Sequence, residues 1–200
     1  MSLLGVRSGY DVPTHSSTEM ASLLTRKQRV LVSELREIRN LLELNFDKII
    51  DYRPESRTIR LLVMRDKLVR GQVIVWYTLV DELLTNRICR YFFGRKRSFP
   101  QLWRTKRFQL FNYHVIEQLS LLSKLRLVKA ISPIPKPLAA HIEKLNVLRN
   151  GLAHSFFPEN LRSARPMWKG RDVFSIGGLR GLEADLQVVF AHFLPDEDWY

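Results

Sequence analysis

Apolar side chains recur along most of this chain at three- and four-residue intervals, the repeat of one face of an α-helix. Leu24, Leu31, Leu35, Ile38, Leu42 and Ile49 follow an alternating four-three spacing, interrupted by Gln28 and Asn45. That narrow stripe predicts a long first helix over 20–52, with Ser16 and Glu19 at capping-box spacing ahead of it. We take it as the first helix of a bundle rather than an independent dimerisation arm. Pro54 and its neighbours break the chain. A second helix is predicted over 57–93, with Ile59, Leu62, Val63, Val73, Trp76, Val80, Leu83, Leu84 and Ile88 available for burial, and Gly94 ends it. A third is predicted over 108–129, with Phe111, Val115, Leu119, Leu122 and Leu125 on one side. Pro133, Pro135 and Pro137 form a stiff connector into a fourth helix over 138–156. Beyond Pro158 comes a loop, then a short extended piece at Val173, Phe174 and Ile176. Gly177 and Gly178 turn the chain into a last helix over 179–194. The expected fold is all-α: a bundle of about five helices with a long N-terminal helix. It fills 18–195, between a flexible N-terminus (1–17) and an acidic tail (196–200).

The fourth helix contains an anomaly. Leu138, Ile142, Leu145, Leu152 and Phe156 fall on one stripe, and Arg149 lies in the middle of it. A guanidinium cannot shed its charge, and burying it unpaired costs several kcal/mol or more. Arg149 is therefore expected to have a buried partner or to face a cleft. His154 sits about 140° away on the ideal wheel, on the face of Val147 and Asn150. Gly151 lies between the two, where a helix can bend.

Composition changes this picture in one respect. With 32 Lys and Arg against 20 Asp and Glu, net charge is +12. A pI near 10.2 points to a polyanionic partner, nucleic acid before an anionic membrane surface or an acidic protein. The apolar fraction of 46% supports a real core. Cys89 is the one cysteine, which excludes an intramolecular disulfide and suits a buried, inert thiol in a reducing compartment. The lack of a signal peptide or a long uncharged apolar run gives the expectation of a soluble, cytoplasmic protein that does not enter a membrane.

Candidate chemistry is narrow. There is no Gly-Lys-Ser/Thr phosphate loop, no GxGxxG, no nucleophile elbow and no Cys/His cluster with metal spacing, so no cofactor or metal is expected. His15, His114, His141, His154 and His192 are scattered; His114 is taken as a surface or packing residue and His141 as structural. Arg95, Lys96, Arg97, Arg104, Lys106 and Arg107 interleave with Phe99, Trp103 and Phe108. Cations neutralise phosphates and exposed aromatic faces stack on unpaired bases, so this segment suits single-stranded RNA. Equally, Phe99 and Trp103 can tuck into the core while the basic residues solvate a loop. Arg57, Arg60, Arg65 and Arg70 are taken as a solvated face that could add to an anion-binding surface, with Arg162, Arg165, Lys169 and Arg171 following the fourth helix.

The stretch Arg149-Asn150-Gly151-Leu152-Ala153-His154 resembles the signature of the HEPN (higher eukaryotes and prokaryotes nucleotide-binding) superfamily, an arginine followed by a polar residue and, after four to six residues in all, a histidine. The likeness extends to Lys144-Leu145-Asn146-Val147-Leu148 and to the segment from Trp168 to Ser175, over roughly residues 55–195. It implies a helical bundle that forms a homodimer with two motifs at a shared cleft. It also implies a metal-independent endoribonuclease acting on single-stranded or tRNA-like RNA, such as a toxin or a phage-defence effector with an antitoxin protein as partner. By resemblance, His154 transfers protons, Arg149 carries transition-state charge, and Asn150 orients. The other outcome the resemblance allows is an inactive module that binds RNA, nucleotide or protein. One subgroup carries a modified tyrosine two residues after the histidine; here that position is Phe156, so the likeness does not extend to that route of inactivation.

Overall fold

The computed structural model describes residues 24–94, 96–153 and 166–194, and the chain divides into two compact units, Met1–Met64 and Arg65–Tyr200. Helices dominate both. Among the described residues the fold is all-α apart from one short hairpin.

In the first unit, α1 spans Arg26–Leu41. The Thr25 hydroxyl accepts from the Gln28 backbone N–H while the Gln28 side chain accepts from the Thr25 N–H, a capping box that starts the helix. The start expected at Ser16 and Glu19 lies outside the described residues. The continuous helix expected to reach residue 52 instead stops at Leu41. Glu43 turns to φ 56°, and Asn45 caps a separate 3-10 turn, Phe46–Asp51. Asn45, which interrupted the apolar stripe, thus marks a break in the backbone itself. The stripe forms but is not covered: no residue of α1 is buried, and Leu31, Leu35 and Ile38 are exposed.

The long helix α2 runs Pro54–Phe93. Pro54 opens it, since proline's fixed φ and missing N–H suit a first helical turn. Arg57 donates to the carbonyls of Tyr52 (3.0 Å) and Ile50 (2.7 Å), and the Arg60 guanidinium lies 3.8 Å from the Tyr52 ring centroid. These two arginines tie the turn to the helix, a role the sequence did not reveal.

The second unit packs the rest of α2 with α3 (Phe99–Trp103), α4 (Lys106–His114), α5 (Leu121–Ile131), α6 (Lys136–Ala153) and α7 (Ile176–Phe193). Val73, Val80, Leu83, Leu84 and Ile88 of α2 are fully buried, joined by Leu125 of α5, Ile142 and Leu145 of α6, and Leu182, Leu186 and Val189 of α7. Each such side chain contributes about 1.5–3 kcal/mol when fully buried. Cys89 is among them, as expected, but Ile59 is exposed. Gly94 ends α2 at φ 74°, a conformation only glycine adopts without strain. The single helix expected over 108–129 is two, because the chain breaks at a 3-10 turn (Ile116–Gln118) and restarts where the Ser120 hydroxyl caps α5. The break resets the phase, so Phe108, Ile116, Leu121, Leu125 and Val128 are buried while Val115 is exposed.

The extended piece expected at 173–176 lies a few residues earlier. Strands β1 (Met167–Trp168) and β2 (Arg171–Asp172) pair antiparallel across Lys169-Gly170. Both turn residues have positive φ (47° and 77°), the backbone a tight hairpin needs to match strand twist. Ser175 then caps α7, accepting from Gly178 N–H at 3.1 Å and donating to the Asp172 carbonyl at 2.6 Å. Ile176, Gly177 and Gly178 are therefore the first turn of α7 rather than a strand end and a turn. Among the described residues no helix is long and apolar enough to cross a membrane.

Candidate functional site

The buried face of α6 consists of Leu138, Ala139, Ile142, Leu145, Leu148 and Leu152. Arg149 and Asn150 are exposed in the last turn. The helical wheel gives Arg149 an inward angle, but at this level the neighbouring helix leaves a cleft. The alternative of a buried ion pair is thereby excluded for the described residues, among which Arg149 has no carboxylate partner. Its Nη1 donates to Asn150 Oδ1 at 3.2 Å, and its guanidinium lies 5.2 Å from the Tyr77 ring centroid. His154 and Phe156 lie outside the described residues.

The cleft is a cavity of about 410 Å³ between α2 and α6, walled by Arg70, Val73, Ile74, Tyr77 and Thr78 on one side and Arg149, Leu152 and Ala153 on the other. The α2 residues share one face through their three- and four-residue spacing. Arg70 has a role that its charge pattern alone did not reveal. It pairs with Asp66 (Nε to Oδ2, 2.5 Å) and donates through Nη1 to the Leu152 carbonyl of α6. A partly buried cation of α2 thus ties that helix to the one that carries the motif. The sequence signal was there, an Asp-Arg pair at i,i+4, but the long-range partner was not. Burial raises the Tyr77 phenol above its usual range; Arg149 pulls it down and Asp81 pushes it up.

The basic and aromatic segment is dispersed by its side-chain contacts. Arg95 lies outside the described residues. Lys96, Arg97 and Arg107 are exposed and border a cavity of about 500 Å³ with Phe92, Phe93 and Leu102. Arg104, the residue that ends α3, and Lys106, at the start of α4, are exposed and do not line that cavity. The aromatics divide between the two expectations: Phe108 is buried and Phe99 partly so, carrying the Arg90 guanidinium 4.5 Å from its centroid, whereas Trp103 remains 48% exposed. Arg90, itself buried, donates to the Arg97 carbonyl at 2.6 Å and so fixes the loop that presents the basic residues.

A second cluster holds the hairpin. Asp185 of α7 accepts from Trp168 Nε1 (2.8 Å) and Lys169 Nζ (2.6 Å), with His141 Nε2 at 3.8 Å. Burial works to raise the Asp185 carboxyl, yet the hydrogen bonds from Lys169 and Trp168, with the nearby His141 and Lys169 charges, hold it below its usual value. His141 is a packing residue, as expected, with its ring 6.1 Å from that of Trp168. Lys169 and Arg171, expected only as loop charges, stand in this hairpin; Arg162 and Arg165 lie outside the described residues.

Fold and site together define an all-α helical bundle with a cationic cleft at the end of one helix. No family model matches the chain, and no curated protein or solved structure is significantly similar to it.

Proposed function

We propose that the chain is a HEPN-type endoribonuclease, cleaving RNA without a metal by attack of a ribose 2′-hydroxyl on the adjacent phosphate. The observation that carries this is Arg149: a permanent cation, unpaired with any carboxylate among the described residues, steadied by Asn150 and facing a cavity at the last turn of α6. A guanidinium so placed grips two phosphate oxygens and stabilises the charge that develops on the phosphorane. His154 follows in the motif. Histidine ionises near neutral pH and is the side chain suited to take the 2′-hydroxyl proton or to protonate the departing 5′-oxygen. One imidazole cannot do both in a single step. A homodimer that joins two motifs in one cleft supplies acid and base from different chains. Net charge of +12 favours the polyanionic substrate.

A toxin or defence role, with an antitoxin protein as partner, belongs to the same proposal. The test is incubation of the purified chain with single-stranded RNA in excess chelator. Fragments ending in 2′,3′-cyclic phosphate, absent with His154→Ala, are expected. RNA that is bound but stays intact would replace this reading with that of a binding module.

A further inference from the structure

A cavity of about 530 Å³ in the second unit has Tyr77 among its lining residues, as the Arg149 cleft does. Its chemistry opposes the charge of the chain. Three carboxylates, Asp81, Glu82 and Glu117, line it beside a single lysine, Lys124. Two of them are engaged: Asp81 accepts from Lys124 at 2.6 Å and Glu117 from Asn112 at 2.8 Å. Glu82 is exposed and makes no side-chain hydrogen bond or ion pair among the described residues. One turn further along α2, Asn86 also lines the cavity. Its residue is only 7% exposed, yet its amide likewise has no hydrogen-bond partner among the described residues. An amide without a protein partner at the wall of a cavity leaves its donors and its acceptor open to a ligand there. The Trp103 ring, half exposed, borders the same space.

We propose that this cavity is a nucleobase pocket selective for guanine, set beside the phosphate-gripping Arg149; the proposal rests on the ribonuclease function given above. The charge pattern keeps phosphate out of the pocket and admits an edge rich in N–H donors. Guanine alone among the four bases presents two adjacent N–H groups next to a carbonyl oxygen. Glu82 offers two carboxylate oxygens to N1–H and N2–H, and the Asn86 amide, at i,i+4 on the same face of α2, offers a donor to O6. Trp103 supplies a ring for stacking, the usual means by which single-stranded RNA bases are held. Tyr77 to Glu82 spans about 7.5 Å along the helix axis, which puts the base contacts and the phosphate contact in neighbouring turns.

The experiment is a titration of the full chain, in excess chelator, with 3′-GMP, 3′-AMP, 3′-CMP and 3′-UMP, repeated with Glu82→Gln. The proposal expects 3′-GMP to bind about tenfold or more tighter than the others, with the preference lost in Glu82→Gln, a change the size of one bidentate base contact. Glu82 is exposed, so the variant should melt with the wild type. Equal affinities for the four nucleotides, a guanine preference that survives in Glu82→Gln, or occupation by spermidine in preference to 3′-GMP would each overturn it. RNA cleavage with no preference for guanosine would remove the pocket and leave the ribonuclease. Selective 3′-GMP binding without cleavage would do the reverse.

Discussion

Arg149 stands at an exposed position, so its replacement should separate chemistry from stability. Arg149→Ala should lower the RNA cleavage rate by about 10²–10³-fold, the usual effect of removing one transition-state donor. Arg149→Lys should restore little of it, because an ammonium cannot form the bidentate fork. Thermal melting should move little in either, since no buried contact is lost. Tyr77 provides an independent readout of the same neighbourhood. Burial raises its phenol first, and the Arg149 charge opposes that rise. Arg149→Ala should therefore push the Tyr77 transition to still higher pH, measured by NMR on labelled tyrosine; an unchanged or lower transition would mean that the guanidinium does not lie over the ring. Asp185 tests the hairpin in the same way. Its folded-state carboxyl is held below its usual value, so it adds stability above the unfolded carboxylate range, and that stability is lost as pH falls through the lowered value. Asp185→Asn should cost about 1–3 kcal/mol at neutral pH and flatten the loss of stability below about pH 4, as followed by urea unfolding.

At the scale of elements, the hairpin and α7 form a joint in which backbone meets backbone. A Cβ on Gly178 would come within 2.0 Å of the Asp172 carbonyl oxygen, whereas one on Gly181 would meet only Trp168 Cδ1 at 3.8 Å. Gly178→Ala should destabilise the protein by about 1–3 kcal/mol or more, as overpacking does. Gly181→Ala should stabilise it by about 0.5–1 kcal/mol through the helical preference of alanine. Paired denaturant titrations would check both signs. The elements themselves were legible where the apolar repeat was unbroken: α2, α7 and the start of α6 follow the expected boundaries within a few residues, and the end expected for α6 at 156 lies outside the described residues. The expected helix over 108–129 failed because periodicity reports phase but not continuity. Ser120 marked the break as a capping residue, yet serine is too common for that to decide. In the first unit, Asn45 carried the same kind of signal.

For the whole molecule the governing quantity is charge. RNA affinity should fall steeply with salt, and Lys96→Gln, Arg97→Gln and Arg107→Gln together should lower the slope of log K against log salt by about 2 for a single strand. An unchanged slope would remove the cavity they border from the RNA path. That these three residues share a cavity which Arg104 and Lys106 do not line was beyond the sequence, because interleaved cations in a loop carry no periodicity to sort them.

The order of residues alone settled the helical class, the burial of Val80, Leu83 and Ile142, and the oddity of Arg149 on an apolar face. Those follow from spacing, which a helix converts directly into angle. Tertiary structure decided what each angle meets: that Arg149 opens on a cleft rather than a carboxylate, that Arg70 reaches the Leu152 carbonyl of α6, and that Glu82 and Asn86 share a cavity with Trp103. A helical wheel has no depth, and only the packing of another helix against it determines whether an inward position is core or cleft.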